Sequence, residues 1–391
     1  MPTVLYPVNE LRIGGAEQQL LELVRGLDKS RFRAIVAPLY PGGPLDPEFR
    51  AVSGVEVVDL NRRGKYDPSP LVSLALLLRA RRVDVVQPFL SPSTFFGLVP
   101  SLLLRTPVKV ITERCGVRRS RKLGYKLYRT SEDWLTRYAD AVVPNSAAGR
   151  DLLIERGIAP EKIQVIYNGV NRERLGVDRA RATSHRARLG AADDGHVVGI
   201  LASLTPAKGH ETLLRALAVA ASRRPGLRCA VIGDGPLRPR LEALAAELGI
   251  ADRVVFFGNQ RRVADFLAAC DLLVSASRDN EGCSNSILEA MALGVPVIAT
   301  DLGGNRELVE DRVTGRLVPV GDHVALAAAI EAGLADPPGR QSIAARARQV
   351  IESRFSLERM VRDYDNLYTR LLHEKRRGAR RIEAAVRSGT P

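Results

Sequence analysis

Two hydrophobic periods alternate along this chain. Short continuous apolar runs rich in Val, Ile and Ala are separated by longer stretches in which apolar residues recur at helical spacing. The first pattern is that of a strand buried on both faces, the second that of an amphipathic helix. Strands are predicted in the first half at Val4–Val8, Ala34–Leu39, Val55–Leu60, Val83–Gln87, Val108–Thr112, Ala141–Pro144 and Ile163–Tyr167. Asn168-Gly169 then signals a turn, and the polar, Arg-rich region from Asn171 to Asp194 has little strand character. The alternation restarts with Val197–Ala202, Cys229–Ile232, Val254–Phe257, Leu272–Ser275, Val295–Ala299 and Gly315–Val318, and the pattern is helical from Pro338 onward. An α/β class is therefore expected, with two doubly wound parallel sheets facing a central cleft. The expected boundaries are a first domain over residues 1–170, a linker over 171–194 and a second domain over 195–355.

A chain of 391 residues, 45% of them hydrophobic, is long enough to bury two such cores. The N-terminus lacks a basic stretch followed by an apolar one, so it reads as a first strand and not as a signal peptide. The longest apolar run, Phe95 to Leu104, is ten residues long and interrupted by Gly97, Pro100 and Ser101, too short to cross a bilayer. Cys115, Cys229, Cys270 and Cys283 are dispersed, with no metal-ligand spacing, so neither a disulfide framework nor a zinc site is expected. A reducing cytoplasm fits this usage.

The net charge of +14 changes the picture. Seven basic residues (Arg114, Arg118, Arg119, Arg121, Lys122, Lys126, Arg129) and no acid occur between Arg114 and Ser131, beside Leu123, Tyr125, Leu127, Tyr128, Trp134 and Leu135. Lys375, Arg376, Arg377, Arg380, Arg381 and Arg387 add a basic tail over 373–391. Basic residues beside aromatics suit the interface of an anionic membrane, and a solvated basic surface is the plain alternative. No nucleic-acid-binding pattern accompanies the charge.

Candidate chemistry concentrates in residues 281–300, EGCSNSILEAMALGVPVIAT. Ser284-Asn285-Ser286 precede an apolar helical pattern, and free backbone N–H groups at such a helix start attract phosphate. Glu289 falls about one turn inside that helix, where a carboxylate can accept hydrogen bonds from paired ribose hydroxyls, while Glu281 remains in the preceding loop with Gly282 and Cys283. Gly294-Val295-Pro296 ends the helix.

This segment resembles the E-x7-E signature of the retaining glycosyltransferases of the GT-B fold, family 4 (group 1). The likeness extends to Gly14-Gly15-Ala16-Glu17, to Lys208-Gly209-His210, to the turn Gly233-Asp234-Gly235-Pro236 and to Gly303-Gly304-Asn305-Arg306-Glu307, in the family's order and each near a strand end. The resemblance implies transfer of a hexosyl unit, with retention, from a nucleoside-diphosphate sugar to a hydroxyl of a glycan or lipid-linked acceptor, in cell-surface polysaccharide, lipopolysaccharide or glycolipid biosynthesis. It implies Glu281 and Lys208 as catalytic residues. Gly14, Gly15, Ser203, Lys208, Gly233, Gly282, Cys283, Ser284, Asn285 and Glu289 would bind the donor, and Glu307 would order its loop. Glu113, Arg114 and Asn145, at strand ends of the first half, are acceptor-side candidates. The last helix, near residues 356–372, is implied to pack on the first domain. No cofactor and no metal are implied, since lysine and helix N-termini neutralise the diphosphate. An enzyme of this kind would be cytoplasmic and peripheral on the membrane's inner face.

Two positions depart from the family. Ser203 stands where an arginine is common, five residues before Lys208, which leaves more of the phosphate charge to the lysine. Gln87-Pro88-Phe89 stands where family members often carry histidines, so no histidine base is expected; the leaving diphosphate oxygen can itself take the acceptor proton. The alternatives are a sugar-nucleotide 2-epimerase-like isomerase and a nucleotide-sugar-binding scaffold without activity.

Overall fold

The computed structural model describes residues 1–114, 130, 132–191, 195–279 and 281–388. Cys115 and the basic run from Arg118 to Arg129 lie outside the described residues, as do the side chains of Arg380, Arg381 and Arg387. The chain divides into two compact units, one built from described residues up to Gly169 plus the stretch from Leu357, the other from Val170–Ser356.

The first unit holds β1 (Thr3–Val8), β2 (Arg33–Pro38), β3 (Val55–Val57), β4 (Val85–Val86), β5 (Val108–Glu113) and β6 (Ala141–Pro144), with helices α1 (Gly15–Gly26), α2 (Asp46–Arg50), α3 (Ser69–Ala80), α4 (Ser93–Leu103) and α5 (Ala147–Glu155). Its sheet is parallel, in the order β3-β2-β1-β4-β5-β6. Every residue of β1 is buried, as expected of a strand covered on both faces. The expected strand at Ile163–Tyr167 does not form. The segment follows β6 through an isolated Ile163–Val142 bridge and through Gln164 N–H to Val142 O and Ile166 N–H to Pro144 O, both at 3.0 Å, and then turns at the Asn168-Gly169 corner, which the buried Gln19 side chain clamps by accepting from Gly169 N–H and donating to Gly169 O, both at 3.0 Å.

The second unit holds β7 (His196–Leu201), β8 (Leu227–Ile232), β9 (Val254–Gly258), β10 (Leu272–Ser275), β11 (Val297–Thr300) and β12 (Arg316–Val318). Helices α6 (Arg179–Arg188), α7 (His210–Arg223), α8 (Arg238–Glu247), α9 (Val263–Ala268), α10 (Asn285–Leu293), α11 (Asn305–Leu308), α12 (His323–Ala335) and α13 (Pro337–Arg354) accompany them. Read from the far edge, the sheet runs β9-β8-β7-β10-β11-β12, which repeats the order of the first. The expected linker is thus partly helical: Asp178 caps α6 by accepting from Ala180 and Arg181 N–H, and buried Ala182 packs inward.

The last helix, α14 (Leu357–Ser388), does not stop near Leu372; it continues through the region read as a basic tail. Met360, Tyr364, Leu367, Tyr368, Leu371 and Leu372, an i, i+4, i+7 stripe, join the core of the first unit beside Tyr6, Leu20 and Phe32. Tyr368 Oη donates to Gln87 Oε1 and lies 3.2 Å from Tyr6 Oη, while Gln87 Nε2 donates to Thr112 Oγ1 at 2.8 Å. The helix is therefore tied to β1, β5 and the end of β4 by polar bonds inside an apolar core.

Candidate functional site

In a doubly wound sheet, ligands bind beyond the carboxyl ends of the strands, at the point where the strand order reverses. In the second unit that point lies between β7 and β10. Lys208 follows β7 and Glu281 follows β10, and their side chains meet: Lys208 Nζ donates to Glu281 Oε1 at 2.9 Å and to Oε2 at 2.8 Å. Ser277 Oγ adds a third bond to Oε2 at 2.7 Å. The Lys208 side chain is 31% exposed and that of Glu281 is 11% exposed, so the ammonium group faces outward from a carboxylate that is nearly enclosed.

Local backbone dictates this geometry. Gly209 takes φ +67°, and a Cβ there would lie 1.8 Å from Ala276 O; only glycine lets the Lys208 turn dock on the end of β10. Arg278 N–H donates to Ala207 O at 2.8 Å and completes the contact. On the other side, Gly304 N–H donates to Glu281 O at 2.8 Å, and a Cβ on Gly304 would sit 2.3 Å from Gly282 O. The Gly303-Gly304 pair thus supports the loop that carries Glu281. Thr300 Oγ1 donates to Ser277 O at 2.7 Å, and Asn305 Nδ2 to Thr300 O at 3.0 Å, so β11 and α11 brace the same loop.

Ser284 is the N-cap of α10, with its hydroxyl 3.1 Å from that of Ser286 and its carbonyl accepting from Leu288 N–H. Cys283 and Ser284 are buried, whereas Gly282 and Asn285 are half-buried. Gly294, at φ +73°, ends the helix in the left-handed region. Glu289 is buried on α10, and its Oε1 accepts from Nη2 of Arg174. The Gly233-Asp234-Gly235 turn packs on the segment after β7: a Cβ on Gly233 (φ +133°) would lie 2.1 Å from Ala202 O, and one on Gly235 would lie 2.6 Å from Leu204 O. Ser203 is exposed beside that turn. His210, at the start of α7, is buried; burial and then the Lys208 charge push its pKa down to about 4, so its ring is neutral at physiological pH.

In the first unit, Gly14 and Gly15 begin α1 after β1, next to the reversal between β1 and β4. The Glu17 carboxylate folds back over Gly14, where a Cβ would come within 2.3 Å of Oε2. Burial raises the Glu17 pKa against the opposing pull of its own backbone N–H and of Arg12, which bonds it at 3.4 Å. The acceptor-side candidates are engaged inside the unit. Glu113 Oε2 accepts from Arg156 at 3.1 Å, and Arg156 also binds Asp133. Arg114 donates to Asn168 Oδ1 and Tyr364 Oη and lies over the Phe89 ring. Asn145 is buried just before Ser146, whose hydroxyl caps α5.

Ser277, Arg174 and Tyr368 contribute contacts that sequence reasoning did not single out. Ser277 had a signal, a hydroxyl at the end of a buried strand four residues before Glu281. Arg174 had none, being one arginine in an arginine-rich stretch and 115 residues from its partner.

The fold and the placement of this pair define a protein of the GT-B class. The Anabaena protein HepE in complex with UDP-glucose is superposable with a TM-score of 0.82 at 25% identity, over 94% of this chain and all of that one. Two family models match: "Glycosyltransferase Family 4" over residues 13–174 and "Glycosyl transferases group 1" over residues 182–350. The chain belongs to glycosyltransferase family 4, group 1. It is 35% identical over 260 residues to the D-inositol 3-phosphate glycosyltransferase of Streptomyces scabiei, covering 63% of this chain and 57% of the relative. It is also 29% identical over 343 residues to the GDP-mannose-dependent alpha-(1-6)-phosphatidylinositol monomannoside mannosyltransferase of Mycolicibacterium smegmatis, 83% of this chain and 87% of that one. The chain spans a little over half the length of the first of these relatives. Among the described residues, no helix is long and apolar enough to cross a membrane.

Proposed function

We propose that this glycosyltransferase moves a hexosyl unit from a nucleoside-diphosphate sugar to a hydroxyl of a glycan or lipid-linked acceptor, with retention and without a bound metal. The observation that carries the reading is the Lys208–Glu281 pair at the strand-order reversal of the second sheet, with the N-terminus of α10 three residues beyond Glu281. The bond from the anomeric carbon to the terminal phosphate oxygen breaks, and a bond to the acceptor oxygen forms on the same face. The acceptor proton passes to the departing phosphate oxygen. Lys208 neutralises the charge that builds on the diphosphate, an effect worth several kcal/mol in a dry site. Glu281, anchored by Lys208 and Ser277, faces the sugar, and Glu289 accepts from the ribose. Gln87 supports transfer of the proton to the leaving group: it is buried and bonded to Tyr368, and supplies no imidazole where family members often carry one.

HepE's complex with UDP-glucose supports a nucleotide-sugar donor, and the name of the Mycolicibacterium relative, a phosphatidylinositol monomannoside mannosyltransferase, supports a lipid-linked acceptor. Exposed Trp134 and Tyr138, packed edge to face at 4.9 Å and following the basic run in sequence, suit an anionic surface of the cytoplasmic leaflet. Purified protein is assayed for nucleoside diphosphate released from UDP- and GDP-hexoses, with and without lipid and glycan acceptors, in excess chelator. Acceptor-dependent release and a product of unchanged anomeric configuration are expected. Conversion of the donor without acceptor indicates an isomerase; tight donor binding without transfer indicates a scaffold. Strict dependence on divalent metal refutes the lysine-based neutralisation. Co-sedimentation with phosphatidylserine-containing vesicles should exceed that with phosphatidylcholine alone and fall with salt, since surface charges are screened within about 10 Å at 0.1 M.

A further inference from the structure

The carboxylate proposed to hold the ribose is not alone. Arg174 reaches it from the segment that leads into the second unit, and that segment is fixed on both sides of the arginine. Upstream, Val170 N–H donates to Phe355 O at 2.9 Å. Asn171 Oδ1 accepts from the N–H groups of Glu173 at 3.0 Å and Arg174 at 3.2 Å, closing a tight side-chain turn. Leu175 is buried directly after it. The guanidinium is therefore aimed by the backbone. Its side chain is 25% exposed, and that of Glu289 11%.

Glu289 sits on α10 among Ile287, Leu288, Ala290 and Met291, all buried. A carboxylate this enclosed is costly to bury without a charged partner. Arg174 supplies both charge and direction. A carboxylate has roughly four acceptor sites, more than one guanidinium N–H occupies, so the same group can serve hydroxyls as well.

We infer that Arg174 is a positioning residue for the donor: by gripping one oxygen of Glu289 it orients the carboxylate toward the paired hydroxyls of a nucleotide ribose. It touches the carboxylate and acts through it. The inference rests on the reading of Glu289 as the ribose ligand, and the experiment separates the two.

Calorimetric titration measures the affinity of the intact protein for UDP, or for GDP or ADP if either binds more tightly, and for the 2′,3′-dideoxy analogue of the same nucleotide. The readout is the ratio of the two Kd values, measured for wild type, Arg174→Ala, Arg174→Lys and Glu289→Ala, each checked for intact folding by thermal unfolding. Wild type should discriminate against the dideoxy nucleotide by about tenfold or more, as expected for charge-assisted bonds to both hydroxyls. Glu289→Ala should abolish that ratio, Arg174→Ala should remove most of it, and Arg174→Lys should restore part. An Arg174→Ala protein with the wild-type ratio overturns the inference even if both affinities fall, because a merely structural role weakens the two nucleotides alike. If Arg174→Ala does not fold, the ratio in Arg174→Met decides, and a wild-type value there overturns the inference. If Glu289→Ala keeps the ratio, the ribose reading fails, and the inference with it. If wild type binds none of the nucleotides, the donor reading itself fails.

Discussion

Replacing Lys208 by methionine tests the pair on which the site is built. At the observed contact distances the charge centres lie about 4 Å apart, and at an effective dielectric constant near 20 their attraction is about 4 kcal/mol before desolvation is subtracted. Lys208 is nearly one-third exposed, so part of that attraction is screened. A net contribution of about 2 kcal/mol remains, in the range of a charge-assisted hydrogen bond. Lys208→Met leaves the enclosed Glu281 carboxylate with the Ser277 hydroxyl as its remaining described side-chain donor. Glu281→Gln should cost about 1–2 kcal/mol, because the amide oxygen still accepts. The double variant should be less damaged than the sum of the singles by about 1–2 kcal/mol, since it removes both charges together. The sole tryptophan, Trp134, lies in the first unit, so its fluorescence reports the wrong half. Native-state hydrogen exchange over β7 and β10 reads the second unit directly. Strictly additive losses would refute the argument, for they would mean that the two side chains do not depend on each other.

Three further outcomes are expected. His210 has its folded pKa pushed down to about 4, so the unfolded chain takes up the proton first; its share of stability is complete above about pH 6.5 and lost as pH falls toward 4. Urea unfolding at pH 7 and pH 4.5 should differ by about 2–3 kcal/mol more in wild type than in His210→Gln, and an equal difference in both disproves this. Gly304→Ala has no backbone penalty at φ −66°, yet its Cβ would strike Gly282 O; a loss of about 1–3 kcal/mol and weaker UDP binding are expected, and wild-type values in both would show that the Glu281 loop shifts freely. Tyr368→Phe leaves the buried Gln87 oxygen without its phenol donor and should lower stability by about 1–2 kcal/mol in chemical denaturation; no change would mean the network carries no weight.

The periodicity of the chain made most of the architecture legible. Buried parallel strands read as unbroken apolar runs, and the strands on both sides of each strand-order reversal were recognisable, though β4 proved only two residues long. Ile163–Tyr167 does run along the edge of β6, with two backbone bonds to it, but builds no full ladder before the Asn168-Gly169 turn, and an apolar run does not say how far pairing extends. The residue types near the second reversal were also legible, since Gly209, Gly303 and Gly304 are glycines for reasons of backbone approach that apply to any sequence with this turn. Two kinds of feature were hidden. The roles of Gly303 and Gly304 depend on what lies within 3 Å of an absent Cβ, and composition does not carry that. The engagement of Glu289 by Arg174, and of Gln87 by Tyr368 across 281 residues, are contacts between positions that local patterning treats as independent.

The helix α14 gives the first unit a peculiar history. Its sheet emerges first from the ribosome, yet the tyrosines that complete its core, Tyr364 and Tyr368, are synthesised only after the whole of Val170–Ser356. During translation the earlier-made half must wait with an open apolar face while the later-made half can already close. The usual order, in which the leading domain folds first, is reversed here. A fragment ending near Gly169 would keep all six strands and still expose the seat of Leu367 and Leu371, so it should aggregate where a fragment spanning Val170–Ser356 stays in solution.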